Sequence, residues 1–269
     1  MIIGDKIFEN GTHIMGILNV TPDSFSDGGK WNNIDAALSH TEEMIRDGAA
    51  VIDIGGESTR PGYTRISDDE EIARVVPVIE AVKSRFDVPV SVDTYKSAVA
   101  EAALSAGADL LNDIWGFKAD SKIAAVCRKY DAACCLMHNR TNKSYGSFFE
   151  DVLKDLRESI LIAKAAGIED DKICTDPGVG FAKSLEQNLA ITQNVDLLGT
   201  LGYPVLLGTS RKSMIGLTLD LDRDNRVEGT LVTTVTAVMK GCLFVRVHDV
   251  RENYRAIKMA QALKSFERK

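Results

Sequence analysis

Eight short apolar runs alternate with eight amphipathic stretches along the chain, and this alternation limits the fold more than any other feature. The runs fall at 13–19, 50–55, 89–93, 109–113, 132–138, 172–176, 204–209 and 243–248. The helical patterns fall at 34–47, 68–86, 96–106, 120–130, 147–167, 185–198, 225–240 and 250–265. Several runs are nearly continuous in apolar residues, as strands covered on both faces of a parallel sheet are. Eight β–α units in 269 residues have the order and size of a single (β/α)8 TIM barrel. An open doubly wound sheet is the other arrangement that the pattern allows.

Local punctuation supports the helices. Ser67-Asp68-Asp69-Glu70 and Asp249 read as helix starts, and Gly48, Gly107, Gly167 and Gly241 read as helix stops. Residues 2–14, with Asn10-Gly11 at the middle, read as an N-terminal hairpin closing the bottom of the barrel. No linker or composition shift divides the chain, so 1–269 reads as one domain.

Charge and cysteine usage narrow the function. The formal net charge is −7, which argues against nucleic acid or a membrane surface as partner but leaves room for a local anion pocket. The most apolar tract, 231–247, is broken by Lys240, Gly241 and Arg246, so no membrane span is expected. MIIGDKIFENG lacks the basic and apolar regions of an export signal. The five cysteines form no C-x-x-C pair and sit mostly in strand-like runs. They read as reduced, buried thiols in a cytoplasm. The four histidines are scattered, which argues against a structural zinc site.

Barrel enzymes work at the C-terminal ends of their strands. The polar residues there are Asn19, Asp53 to Glu57, Asp93, Asn112 with Asp113, His138, Asp176, Arg211 with Lys212, and Arg246 with His248. Singly, each is as well explained by a turn or a helix cap, and Asp53 inside an apolar run reads as structural. Together, Asn19, Asp93, Asn112 and Asp176 would offer carboxylates and amides to a planar heterocycle with several N–H donors. Lys212, Arg246 and His248, with Arg60, would supply cations for a phosphate near the last two strands. Two long polar segments, ILNVTPDSFSDGG from Ile17 and GESTRPGYTRIS from Gly56, read either as plain connections or as lids.

These segments, with SVDTYK, LLNDIWG, DPGVGFAKSLEQN, LLGTSRKSMIG and FVRVHDV, resemble the dihydropteroate synthase family, in order, from about Gly16 to the final helix. The resemblance implies a TIM barrel, usually a homodimer. It implies condensation of 6-hydroxymethyl-7,8-dihydropterin diphosphate with para-aminobenzoate, giving dihydropteroate and pyrophosphate, with sulfonamides as competitors. Carried over by motif, Asp93, Asn112, Asp176 and Lys212 would hold the pterin. Thr59, Arg60, Arg246 and His248 would hold the diphosphate. Phe25, Thr59, Pro61, Phe181, Arg211 and Ser213 would frame the aminobenzoate, and Asn19 would bind Mg²⁺. Asp27, Arg60 and Lys212 would take part in catalysis. Ala182 stands where the family often has glycine, and Asn139-Arg140 is a variable pair.

Two rival readings remain. A methyltetrahydrofolate–corrinoid methyltransferase barrel would share Asn112 and Asp176 but has no need of TPDSFSDGG, ESTRPG or SRKS. A non-catalytic pterin-binding subunit would be expected to lose Asn19 or the diphosphate cations, and this chain keeps them.

Overall fold

The computed structural model describes residues 1–20, 30–57 and 65–266. An antiparallel pair, β1 (Ile2–Ile3) and β2 (Lys6–Ile7), precedes β3 (His13–Asn19). There follow α1 (Lys30–Arg46), β4 (Ala49–Gly55), α2 (Asp68–Arg85), β5 (Val90–Asp93), α3 (Ser97–Ser105), β6 (Leu110–Asp113) and α4 (Ile123–Lys129). Then come β7 (Ala133–Met137), α5 (Phe148–Ala165), β8 (Ile173–Asp176), α6 (Leu185–Gln193), β9 (Leu206–Leu207), α7 (Ser213–Leu219), α8 (Val227–Met239), β10 (Phe244–Val247) and α9 (Val250–Lys264).

The parallel strands run in the order β8-β7-β6-β5-β4-β3-β10-β9. A parallel bridge, Thr175 to Val205, joins the two ends of that order. The sheet therefore closes on itself as a (β/α)8 barrel, and the open doubly wound alternative falls. Closure between β8 and β9 is thin because Pro204 has no N–H to give; its carbonyl instead accepts from Thr175 N at 2.9 Å. The expected strand at 204–209 is correspondingly cut to two residues.

Two apolar layers hold the barrel. Inside it, Met15, Val51, Leu110, Cys135, Cys174, Leu206 and Phe244 pack with Ile3 and Phe8 from the N-terminal pair. Phe8 meets Phe244 edge-on at 5.2 Å. Outside it, the other strand faces and the inner faces of the helices form a second layer. The hairpin thus closes the bottom as expected, but its turn differs. Ile3 pairs with Lys6, so Gly4-Asp5 makes the reversal, with Gly4 at φ 59°. Asn10-Gly11 only leads into β3.

The helix punctuation holds with one exception. Ser67 accepts from Glu70 N at 3.2 Å as an N-cap. Gly48, Gly107, Gly167 and Gly241 all take positive φ after a helix. Asp249 precedes α9 but does not cap it with its side chain; its carboxylate is turned to Arg211. The pattern at 185–198 divides, α6 ending at Gln193 and a tighter 3-10 turn covering Val195–Leu201. All five cysteines are free and buried.

Candidate active site at the barrel mouth

The strand register decides which polar residues meet. Asn19 pairs with Gly55, Gly55 with Asp93, and Asp93 with Asn112. Three of the expected residues therefore lie on one level across four neighbouring strands, with glycine as the fourth. The missing side chain matters. A Cβ on Gly55 would stand 3.6 Å from Asp93 Cβ, 3.8 Å from Asn19 Oδ1 and 3.9 Å from Asp93 Oδ2. Across the mouth Gly208 plays the same part. A Cβ there would lie 3.6 Å from Asp176 Oδ2, 3.8 Å from Arg246 Cβ and 3.9 Å from Lys212 Nζ. Asp176, Lys212 and Arg246 thus gather over bare backbone.

Asp93 and Arg246 form the centre of a buried charge network. Arg246 donates from Nε to Asp53 Oδ2 at 2.5 Å and from Nη2 to Asp93 Oδ2 at 2.7 Å. Asp53 is fully buried and also accepts from Ser91 Oγ at 2.5 Å and Asn112 Nδ2 at 3.4 Å. It is structural, as expected, but for a specific reason: it fixes Arg246 and Asn112. Asp93 Oδ1 is buried and unpartnered, an acceptor waiting for a donor. Burial pushes the Asp93 carboxyl up to about 7, against the pull of Arg246.

The expected basic corner is less basic than its residue types suggest. Arg246 is spent on two carboxylates. His248 is drawn down to about 3 by burial and by Arg246 and Arg211, so it is neutral at pH 7; its Nδ1 lies 3.0 Å from Ser210 Oγ. Arg211, at φ 56°, is turned away to Asp249, with Nε at 3.0 Å and Nη2 at 2.5 Å from its two oxygens. Lys212 remains. It donates to the Val179 carbonyl, stands 4.9 Å over the Phe181 ring, and is lowered by burial to about 8.

Asp176 ends β8 and accepts from Gly178 N at 2.6 Å through Oδ1. The carboxylate is therefore a turn former and a site residue at once, and Oδ2 is its open oxygen. Burial raises its pKa, with Lys212 opposing. Ser213 is exposed at the start of α7. Phe25, Asp27, Thr59, Arg60 and Pro61 lie outside the described residues. The strip between Asn112 and Asp176 is apolar, and residue types at strand ends did not point to it. Tyr95, Ile114 and Met137 form a separate small cluster with Trp115 and Phe181. Strand parity could have found Met137, since it is the register partner of Asp176.

An open carboxylate pair, an amide, an apolar strip and one lysine in a barrel mouth define a site for a flat, nitrogen-rich heterocycle. The family model described as "Pterin binding enzyme" matches residues 15–248. The chain is 60% identical over 266 residues to a dihydropteroate synthase of Clostridium beijerinckii, covering 98% of this chain and 99% of that one. Its fold matches a dihydropteroate synthase from Clostridium difficile, solved in the presence of pteroic acid, with a TM-score of 0.93 and 49% identity over 95% and 98% of the two chains. It also matches a Yersinia pestis dihydropteroate synthase in a sulfonamide drug complex, with a TM-score of 0.89 and 42% identity over 95% of each chain. The chain belongs to the pterin-binding enzymes and, within them, to the dihydropteroate synthases. Its activity is accordingly that of an alkyl-transferring enzyme of folate synthesis.

Proposed function

We propose that the barrel mouth holds 6-hydroxymethyl-7,8-dihydropterin diphosphate and para-aminobenzoate in the following way. The pterin lies on the Ile114–Met137 strip, with its N–H edges toward Asp93 Oδ1 and Asp176 Oδ2. The unpartnered buried Oδ1 of Asp93 is the observation that carries this reading, because such an oxygen is costly unless a ligand donor meets it. Asn112 borders the ring, and Lys212 donates to it from the Asp176 side. In the reaction the methylene C–O bond breaks and pyrophosphate leaves with the bonding pair. The aromatic amine forms the new C–N bond and gives up a proton. The electron-rich dihydropterin can carry positive charge at the methylene, so loss of pyrophosphate before attack fits this ring system.

His248, held by Ser210, and Arg246 border the diphosphate, and by motif Thr59 and Arg60 would contribute to it. Phe181 and Ser213 frame the aminobenzoate, where sulfonamides compete; by motif Phe25 and Pro61 would join them, as would Arg211 on leaving Asp249. By motif, Asp27 would shield the methylene.

Mg²⁺ fits the oxygens present. Asn19 Oδ1 faces the bare backbone of Gly55, and Mg²⁺ favours oxygen ligands with retained waters and substrate phosphates. Asn19 Oδ1, with diphosphate oxygens and water, would be the donor set. When bound, the ion would neutralise charge on the leaving group.

A homodimer is part of the proposal. Helices α6, α7 and α8 pack on one another, and Leu189, Leu217, Leu219, Val232, Val235 and Met239 are exposed on them. Several large side chains on adjacent helices suit a self-complementary interface. The five buried thiols suit a reducing cytoplasm, and the chain acts as one barrel domain.

The test is release of pyrophosphate from the dihydropterin diphosphate, with and without aminobenzoate and Mg²⁺, alongside sedimentation equilibrium. No pyrophosphate with both substrates and Mg²⁺ would remove the reading, and a monomer at micromolar concentration would remove the dimer.

A further inference from the structure

Behind the mouth, the loop after β8 is built largely from left-handed backbone and is held from below by a buried lysine. Gly178, Gly180 and Ala182 have φ of 68°, 86° and 46°, so alternate residues lie in the left-handed region. A Cβ on Gly178 would stand 1.9 Å from the His138 carbonyl, so the loop lies directly against the end of β7. Such a loop keeps one shape only if its surroundings determine it.

Lys183 supplies that determination. It is 4% exposed. Its ammonium donates to Gly178 O at 2.9 Å and to Phe181 O at 3.1 Å, and lies 2.9 Å from His138 Nδ1. Asp155 Oδ2, a carboxylate oxygen, can only accept, so His138 Nδ1 is the acceptor toward Lys183, whose pKa burial lowers to about 7. His138 must then carry its proton on Nε2, which donates to Asp155 Oδ2 at 3.1 Å. Arg140 Nε reaches the same oxygen at 2.6 Å. The row Arg140–Asp155–His138–Lys183 thus runs from a surface cleft to the inside of the loop. Asn188 Oδ1 accepts from Gly180 N at 2.6 Å, and Tyr145 Oη donates to Ala182 O at 2.9 Å.

What the loop presents to the mouth gives the row its consequence. Val179 O tethers Lys212, and the Phe181 ring lies under the Lys212 ammonium. We propose that Lys183, oriented by His138 and Asp155, is a positioning residue that sets Lys212 and Phe181 in place for the two substrates. The proposal rests on the reading of Lys212 and Phe181 as substrate contacts given above. It requires no contact between Lys183 and either substrate.

The test uses Lys183→Met, which keeps the stem and removes all three donors, and Lys183→Gln, which returns donors on a shorter arm and is easier to bury. Amide hydrogen exchange on the unliganded protein reads the loop directly. The Gly178, Gly180 and Phe181 amides should lose protection in Lys183→Met and lose less in Lys183→Gln, while helices on the far side of the barrel are unchanged. In steady state the aminobenzoate Michaelis constant should rise about tenfold or more, with kcat changed by less than about threefold, the pattern of lost substrate placement. A general folding defect would instead lower kcat through loss of active enzyme at an unchanged Michaelis constant, and that result overturns the proposal. Unchanged exchange overturns it as well. Phe181→Ala separates this failure from failure of the underlying reading. If it raises the aminobenzoate Michaelis constant while Lys183→Met does not, Phe181 is a substrate contact and Lys183 does not position it.

Discussion

Removing Arg246 should damage pterin binding as well as diphosphate binding, although its position suggests only the latter. Its guanidinium bridges Asp53 and Asp93 at 2.5 and 2.7 Å, with Asp53 wholly buried and Asp93 nearly so. Taking one partner out of a buried pair costs about 3–5 kcal/mol. The Arg246 side chain is 20% exposed, so the lower end of that range applies. Part of the cost can be relieved by a proton. Asp93 already has a folded-state pKa near 7, and without Arg246 it rises further above its unfolded value. A carboxyl raised on folding binds a proton more tightly in the native state. Stability therefore falls as pH rises from the unfolded pKa to the folded one. The destabilisation of Arg246→Ala in urea should accordingly be larger near about pH 8.5 than near about pH 6. At neutral pH a protonated Asp93 would offer a poorer acceptor, and affinity for bare 6-hydroxymethyl-7,8-dihydropterin should drop about tenfold by calorimetry. His248→Ala is the contrast, since His248 contacts Ser210 and no pterin residue; it should weaken the diphosphate ester alone. If Arg246→Ala left the bare pterin affinity and the pH dependence of stability unaltered, the coupling of Arg246 to Asp93 would be refuted.

Asp176→Asn faces Gly178 N and the ligand with one oxygen and one NH₂, so either orientation loses a contact; pterin affinity by calorimetry should fall at least about tenfold. Pterin affinity should also be highest between about pH 7 and about pH 8, because Asp93 must lose its proton to accept and Lys212, near 8, must keep its own to donate. A titration that is flat from pH 6 to pH 9 would contradict this, as would an acidic limb that survives in Asp93→Asn. Asp27→Ala should lower turnover about a hundredfold in a pyrophosphate-release assay while leaving pterin affinity nearly unchanged, as expected of a contact made near the transition state. Ala182→Gly should be neutral or stabilising by up to about 1 kcal/mol in urea, because Ala182 occupies a φ of 46° that favours glycine by more than glycine's extra unfolded-state entropy costs.

The barrel was readable because each strand is buried on both faces and each helix on one, and both conditions leave a period in the sequence. The β8–β9 closure was not, because it depends on the carbonyl of Pro204 meeting Thr175, and no period records a single bridge. The hairpin was placed correctly while its turn was not. Asn10-Gly11 has the stronger turn chemistry, but burial of Ile3 and Phe8 against Phe244 selects the Gly4-Asp5 reversal. Among the site residues, Asp93, Asn112, Asp176 and Lys212 come together at the mouth as their strand-end positions suggest. Asp249 illustrates the limit. It has a helix-capping residue type in a capping position, yet its carboxylate binds Arg211 from the preceding β–α unit. Lys183 and Ile114 carry no local signal, since their roles depend on partners far away in the chain.

The charge balance of the mouth bears on how it can accept a diphosphate. Asp53, Asp93 and Asp176 face Arg246 and Lys212, and His248 is neutral at pH 7. Counting both free carboxylates as ionised, the described residues contribute three negative charges against two positive ones. With Asp93 protonated the sum is zero. In neither state does the described part of the mouth attract a polyanion by net charge. Favourable binding of the pterin ring makes this tolerable, because Asp93 and Asp176 have lone pairs that the ring's N–H donors satisfy. Under the proposed reading, the diphosphate would then be neutralised by charge from beyond these residues. On that reading, Mg²⁺ carried on the diphosphate's own oxygens would be one source and Arg60 a second. This division of labour has a mechanistic advantage. Cations fixed permanently at the leaving group would bind pyrophosphate as product about as firmly as the diphosphate ester. On the proposed reading, charge that left with pyrophosphate would stabilise the transition state without retaining the product.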